Sequence, residues 1–327
     1  MVVVTGATGH IGNVLVRQLL NRGEKVRALV PTGEDTSSIN GLQIEIVNGD
    51  LRDVDSLIRA FKDCKIVYHL GGLVSILPGK SKLLNDINVV GTQNVIKACR
   101  SCNIERLVYT SSIHAYEEPP IGIMIYETTP ISPNKVLGEY AKSKARATLE
   151  VLKAVKEGLN AVVVCPSGVI GPFDYKISDM GQLALRYLKG TLKYFVDGAY
   201  NFVDVRDVAA GHILACEKGV SGECYILSGE RVEVKNILSV MEEATGIKNS
   251  CKKVPYMLAK LSAGAASVYY IAAKKRPLFT VYSLKVLYSN SQVCCDKARK
   301  ELGYKYRSVK ESIGDSIVWF KENGYCM

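Results

Sequence analysis

Three side chains of this chain stand at spacings that suit proton exchange with a carbonyl. In Tyr140-Ala141-Lys142-Ser143-Lys144 the tyrosine and the last lysine are four residues apart, which on a helix places both on one face. A free phenol has a pKa of about 10, too high for efficient proton exchange near neutrality. An ammonium beside it favours the phenolate, so Lys144 is expected to lower the pKa of Tyr140. Thr110-Ser111-Ser112 closes an apolar run. In an open parallel sheet ligands bind beyond the carboxyl ends of the strands. Ser112 is therefore expected to hold a substrate oxygen against Tyr140, while Ser111 reads as turn chemistry. His114 follows closely and is a candidate for the wall of the same pocket.

A glycine-rich turn supplies the second signal. In Thr5-Gly6-Ala7-Thr8-Gly9-His10-Ile11-Gly12 the glycines recur at every third position, between an apolar run and a helical pattern. Gly6 suits the tight turn, Gly9 lets backbone approach a pyrophosphate, and Gly12 allows the helix to pack on the strand. The phosphates would then meet the helix N-terminus at His10 and Ile11, where free N–H groups and the macrodipole favour anions. At the end of the second strand, Val30-Pro31-Thr32 carries neither the acid that marks NAD nor the arginine that marks NADP. Arg27 lies within that strand, and the preference between NAD and NADP stays open. Asp50, in Gly49-Asp50-Leu51, would accept from adenine or cap the helix after it.

The elements that must position these residues follow from periodicity. Val2–Thr5, Val26–Val30, Ile44–Val47, Ile66–Leu70, Leu107–Thr110 and Ala161–Cys165 are short and apolar, with Cys224–Leu227 as a seventh candidate strand. Helical patterns cover Ile11–Asn21, Lys82–Cys99, Glu139–Lys156 and Asp204–Lys218. Alternation of this kind implies right-handed crossovers and a mostly parallel sheet covered on both faces. The fold class expected is α/β, a Rossmann-type doubly wound parallel sheet with a smaller C-terminal substrate-binding region. A nucleotide-binding domain spans residues 1–165, with 204–227 returning to it. Residues 166–203 and 228–327 form the substrate-binding region, read as helices and loops without clear strand alternation from Ser228.

Composition bounds the function. The 327 residues carry a formal charge of +10, with 47% hydrophobic and 23% charged residues, ordinary for a globular chain. The basic residues are spread without a dense run, so no nucleic-acid partner is expected. No secretory pattern opens the chain. The uncharged stretch Leu261–Ala273 is too short to span about 30 Å of hydrocarbon. The expectation is a cytoplasmic protein without an integral membrane segment. The segment Pro255–Arg276, ending Lys274-Lys275-Arg276, reads as a solvated helix end before it reads as a membrane contact. Ten scattered cysteines are expected as reduced thiols. Neither Cys99-x-x-Cys102 nor Cys294-Cys295 has metal-ligand spacing, so no metal is expected.

Taken in order, the turn TGATGHIG, Gly49-Asp50-Leu51, Asn88-Val89-Val90-Gly91-Thr92-Gln93-Asn94, Thr110–Ser112 and Tyr140–Lys144 resemble the extended short-chain dehydrogenase/reductases, the NAD-dependent epimerase/dehydratase family. The resemblance covers essentially the whole chain. It implies that Gly6, Gly9 and Gly12 hold the pyrophosphate, that Asp50 and Leu51 flank adenine, and that Gly71 and Gly72 line the cofactor cleft. Pro166 and Val169 join the cofactor set. It makes Tyr140 the acid/base and, with Lys144, a member of the cofactor set, Lys144 being the ligand of the nicotinamide ribose; Ser112 is the polarising hydroxyl, and Asn88 architectural. Cys165-Pro166-Ser167-Gly168-Val169-Ile170-Gly171-Pro172-Phe173 looks like the branch of dihydroflavonol reductases and 3β-hydroxysteroid dehydrogenases, with Phe173 toward the substrate. Nucleotide-sugar epimerases tend to carry asparagine where Gly168 stands. Pro31 replaces the arginine frequent in that branch. A homodimer is a further implication of the family.

The leading expectation is an oxidoreductase that moves hydride between NAD(P)H and a carbonyl or secondary alcohol. Tyr256, Met257, Tyr269, Tyr270, Phe279 and Tyr282 lend the C-terminal region an apolar character that suits a hydrophobic substrate, although each, singly, reads first as core packing. A nucleotide-sugar epimerase or dehydratase with bound NAD is the alternative, told apart by redox-neutral isomerisation. A nonenzymatic NAD(P)-binding regulator is a third reading, and such relatives commonly lack the tyrosine–lysine pair.

Overall fold

The computed structural model describes residues 1–75, 79–248, 250–262 and 281–325, without the side chains of residues 281 and 282. Val2–Thr5 forms β1, buried along its whole length because helices cover both faces of the sheet. After α1 (His10–Asn21) come β2 (Val26–Val30), β3 (Glu45–Asn48), α2 (Val54–Phe61) and β4 (Ile66–His69). The pattern continues with α3 (Ser81–Leu84), α4 (Gly91–Ser101), β5 (Arg106–Thr110), α5 (Glu139–Lys156) and β6 (Ala161–Pro166). Then follow β7 (Gly168–Ile170), α6 (Asp179–Leu188), β8 (Tyr194–Val196), β9 (Ala199–Asp204), α7 (Val205–Lys218) and β10 (Cys224–Leu227).

Seven parallel strands lie in the order β10-β6-β5-β4-β1-β2-β3. The order reverses between β1 and β4, and the crevice of a doubly wound sheet opens at such a switch. One face packs on α1 and α7 through Val14, Leu15, Leu19, Val208 and Ile213. The other packs on α2, α4 and α5 through Leu57, Phe61, Val95, Ala147 and Val151. β10 is an edge strand, and the backbone N–H of Ile226 on it donates to the Glu127 carboxylate at 2.9 Å.

Two expectations about elements are corrected. The helix expected over Lys82–Cys99 is broken by a wider π-helical segment, Asn85–Val90, between α3 and α4. The widening falls on Asn88, whose amide bonds outside the helix, and such segments frequently mark functional sites. The chain after Ser228 also contains strands. β11 (Glu230–Glu233) pairs antiparallel with β9, which itself pairs parallel with β7. β12 (Lys252–Val254) follows α8 (Val234–Thr245) and pairs with β8. These strands are three or four residues long and mostly polar (ERVE, KKV), so they show no apolar run. A third apolar cluster, including Ile170, Phe202, Leu238, Met241, Ile317 and Phe320, lies under this part of the chain.

Candidate active site

The glycine turn is shaped by contacts that leave no room for side chains. Gly6 has φ +71°, and a Cβ there would stand 2.7 Å from the Gly71 nitrogen. A Cβ on Gly12 would lie 2.0 Å from the Gly6 oxygen. α1 opens on Gly9 with no side-chain cap and no acid in its first turn. That is the setting in which a helix N-terminus binds an anion. His10 turns back to donate from Nε2 to the Pro172 carbonyl (2.9 Å), and Ile11 packs on the core.

A directed chain of hydrogen bonds runs from this turn into the molecule through His69, a residue the sequence reading passed over. The Gly71 N–H donates to Thr5 Oγ1 (3.0 Å), which meets His69 Nδ1 at 2.7 Å. Thr92 Oγ1 gives its proton to the Asn88 carbonyl (2.6 Å), so His69 Nε2 must donate to Thr92 (3.2 Å) and Nδ1 must accept. Burial, and then the Lys144 charge, push the His69 pKa down to about 3, which keeps this tautomer neutral. Asn88 extends the chain. Its Oδ1 accepts from the Leu73 N–H (2.7 Å), and its Nδ2 donates to the Leu73 carbonyl and the Ser143 hydroxyl, both at 2.9 Å. Thus Asn88 ties the loop after β4 to α5. A Cβ on Gly72 would stand 3.1 Å from Asn88 Oδ1 and 3.6 Å from Lys144 Nζ. Gly71 and Gly72 therefore link the glycine turn, through Thr5, to Asn88 and Lys144, with little room for a side chain at either position.

The structure brings Ser112, Tyr140 and Lys144 to one place, at the carboxyl end of β5. The Ser112 hydroxyl accepts from the His114 N–H at 3.2 Å, and its influence on the Tyr140 pKa places it beside the phenol. Lys144 is buried and donates to the Thr110 carbonyl at 2.7 Å. The expected lowering of the Tyr140 pKa does not appear. Burial pushes the phenol up to about 12, and the Ser112 bond offsets only part of that rise. Burial likewise pulls Lys144 down to about 8. No attraction from Lys144 enters to offset burial, and its ammonium is turned to the Thr110 carbonyl instead. A phenol in this state keeps its proton at neutral pH and acts as a donor. Ser111 serves the scaffold: its hydroxyl meets Thr148 Oγ1 at 2.6 Å.

Beyond this group the wall is aromatic. His114 Nε2 and the Tyr200 hydroxyl are 2.8 Å apart, their rings stack at 6.0 Å, and His114 stands edge-on to Tyr140 at 6.4 Å. Burial lowers the His114 pKa to about 4, so its ring is neutral. A cavity of about 50 Å³ opens beside it, with Ile113, Tyr116, Ile125, Val136, Tyr200 and Asn290 among its lining. At Gly168 a Cβ would stand 2.7 Å from the Tyr200 ring and 3.0 Å from the Asn201 carbonyl. Ser167, between Pro166 and this strand, buries a hydroxyl that has no partner among the described residues. The partly buried Val169 pairs with Val203 in β9.

Other singled-out residues fall elsewhere. Phe173, with φ +66°, packs against Arg17 (5.1 Å) and Trp319 (6.2 Å), and its carbonyl accepts from Asn13. Asp50 does not cap α2; Asp53 does, through the Asp55 N–H. The Asp50 carboxylate is held by Arg52, which lowers its pKa. The Leu51 side chain lies against Gly71 and Gly91. Arg27 is taken up by Glu45 and the carbonyls of Ala60 and Lys62. Tyr256 packs on Tyr288 at 4.4 Å, and Met257 is exposed. Tyr269, Tyr270, Phe279, the Tyr282 side chain and Lys274–Arg276 lie outside the described residues. The reading at Val30–Thr32 missed Glu34. Its carboxylate reaches Thr8 in the glycine turn and pairs with Lys176, 142 residues away.

Residues 2–228 match the model of the NAD dependent epimerase/dehydratase family. The chain belongs to that family. Over 98% of both chains it is 35% identical to "Sterol demethylase protein B" of Methylococcus capsulatus. It is 34% identical to a "Putative dihydroflavonol 4-reductase" of Synechocystis, over 98% of this chain and 95% of that protein. The crystal structure of gox2253, 34% identical, superposes with a TM-score of 0.87 over 100% of this chain and 99% of the other. Membership assigns an oxidoreductase of an NAD-dependent family. The site fits the dinucleotide: Gly6 and Gly12 admit no Cβ, the helix after Gly9 opens without a cap, and the buried Ser167 hydroxyl just past the carboxyl end of β6 has no partner among the described residues. No described helix is long and apolar enough to cross a membrane.

Proposed function

We propose that this family member interconverts a ketone and a secondary alcohol on an apolar, ring-bearing substrate, with Tyr140 as the proton donor and acceptor. The observation that carries this reading is the gathering of Ser112, His114 and Tyr140 at the end of β5, with Lys144 on the same face of α5 and donating to the Thr110 carbonyl. In the reducing direction Ser112 and Tyr140 would both donate to the carbonyl oxygen, and Tyr140 would pass its proton to it. Lys144 would then stabilise the phenolate left behind, which is how an ammonium lowers the cost of that transfer. Bound NAD(P)H would supply the hydride.

Gly6, Gly9, Gly12, His10 and Ile11 would hold the phosphates of the dinucleotide, Asp50 and Leu51 its adenine, and Gly71, Gly72, Lys144, Pro166 and Val169 the nicotinamide half. Residues 166–203 and 228–327 would cover the substrate. His114 and Tyr200 would form its aromatic wall, with Phe173 further out. The names of two relatives, a sterol demethylase protein and a dihydroflavonol 4-reductase, support such a substrate. The Tyr200 ring against Gly168 speaks against a sugar nucleotide, because it fills the place of the residue that sugar epimerases tend to carry there.

Oxidation of NADH and NADPH with steroid, flavonoid and aliphatic ketones tests the proposal. Tyr140→Phe should lower kcat by about 10²–10⁴, the usual worth of a general acid, while leaving dinucleotide affinity within a few-fold. Near-full turnover in that variant, or redox-neutral isomerisation of a sugar nucleotide by the wild type, overturns it.

A further inference from the structure

We infer that the mouth of the cavity beside His114 docks on an anionic lipid surface, through an apolar rim set among lysines. The docking stands on its own observations. That the cavity then draws its apolar substrate from the bilayer rests on the proposed function.

Charge is the first observation. The chain has no dense basic run, yet acids are missing from one long stretch of it. Between Glu243 and Asp296 the sequence has eight lysines and arginines and no aspartate or glutamate, so this stretch accounts for +8 of the net +10. Lys248, Lys252, Lys253, Lys260 and Lys285 of this set are exposed. Among the described residues only Lys253 of these five is ion-paired, to Asp197. A field of one sign concentrated in this way draws a polyanionic surface.

Apolar exposure is the second observation, and it falls in the same stretch. Residues 256–262 are helical. Ala259 is buried with Val196 and Leu284, and Tyr256 packs on Tyr288 at 4.4 Å. The helix therefore rests on the body of the protein through these two residues. Met257, Leu258 and Leu261 are turned outward, the two leucines 59% and 68% exposed. Leu261 follows Leu258 by three positions and Met257 by four, so the three share a face. Lys260 stands beside them. Leucines flanked by lysines are the composition of a helix that lies in a membrane interface.

The third observation joins this face to the cavity. Tyr288 leads into Ser289, Asn290 and Ser291, which line the cavity together with Leu137 and Tyr200. The Asn290 side-chain amide donates to the carbonyls of Pro120 (3.3 Å) and Ile123, and its backbone N–H donates to the Glu118 carboxylate at 2.7 Å. Those bonds hold the loop that carries Ile121, 82% exposed, and Ile123 at the cavity's edge. Apolar side chains from separate segments thus meet at one side of the cavity. A protein partner would face a surface rich in lysine, a residue depleted from protein interfaces. A bilayer of anionic lipid suits both features, taking the leucines below its headgroups and the lysines among them.

Flotation of the full chain with lipid vesicles tests the inference. Vesicles of phosphatidylcholine mixed equally with phosphatidylglycerol should bind the protein roughly tenfold more tightly than phosphatidylcholine alone, and salt should erase the difference. Lys260→Gln and Lys285→Gln should each weaken binding by about fivefold, while Lys260→Arg should leave it unchanged. Leu258→Ser combined with Leu261→Ser should weaken it by about tenfold or more at constant charge. An unchanged denaturant midpoint shows that each variant is folded. Absence of binding to the mixed vesicles, or a leucine variant that binds them like the wild type, overturns the inference. So does a leucine variant that loses self-association instead of vesicle binding, which assigns the face to a second copy of the chain. Turnover is read separately. A wild type that binds vesicles but reduces no ketone removes the proposed function and keeps the docking face. One that reduces dissolved ketones but ignores vesicles does the reverse.

Discussion

Lys144 is held where burial and charge pull in opposite directions. Its ammonium lies under the cleft floor with the Thr110 carbonyl as its hydrogen-bond acceptor, and desolvation brings its pKa to about 8. Below that value the site holds a cation, and above it a neutral amine. A ligand that prefers the cation must therefore weaken as pH rises through 8, by up to tenfold per unit. NADH affinity of the wild type, titrated from pH 6 to 10, should be flat on the acid side and fall on the alkaline side. A break near 10.5, the value of an ordinary lysine, would show that the ammonium keeps its normal proton affinity. His114 and His69, near 4 and 3, do not titrate in this window. Tyr140, near 12, begins to lose its proton only beyond it.

At the scale of elements, β5 carries the site because it is gripped from both faces. Lys144 on α5 bonds to the Thr110 carbonyl from one side, and His212 on α7 holds the Thr110 hydroxyl at 2.8 Å from the other. His212 Nδ1 donates to the Val208 carbonyl, so its Nε2 accepts from Thr110. Each single change, His212→Leu or Thr110→Val, leaves one buried partner unpaired and should cost about 1–3 kcal/mol. The double variant should cost less than the sum, as denaturant unfolding can check. Such grips are hard to read in a sequence. The glycine turn, the first six strands and Glu139–Lys156 were readable because period and composition mark them locally. The bounds of β10 were readable too, since Cys224–Leu227 is a continuous apolar run. The short strands β7, β8, β11 and β12 and the six-residue β9 were not, since pairing with distant partners, rather than their own pattern, makes them strands. Glu34 and Lys176 stayed hidden for the same reason, being joined only by the fold.

For the whole molecule, the charge of +10 is a property of solution behaviour. It keeps copies apart at low salt and draws phosphates toward the cleft. The two rims of the seven-stranded sheet are finished differently. β3 ends one rim as a four-residue strand with Glu45 exposed, two devices that discourage pairing. The other rim is β10, buried along its whole length, with its Ile226 N–H already taken by Glu127. Glu127→Ala should leave that buried N–H unpaired and cost about 1–3 kcal/mol in denaturant unfolding, whereas Glu127→Gln, still an acceptor, should cost less. Equal stability of wild type and Glu127→Ala would show that the N–H finds another acceptor. A carboxylate remote from the chemistry thus closes the last edge of the sheet where an eighth strand would otherwise have to stand.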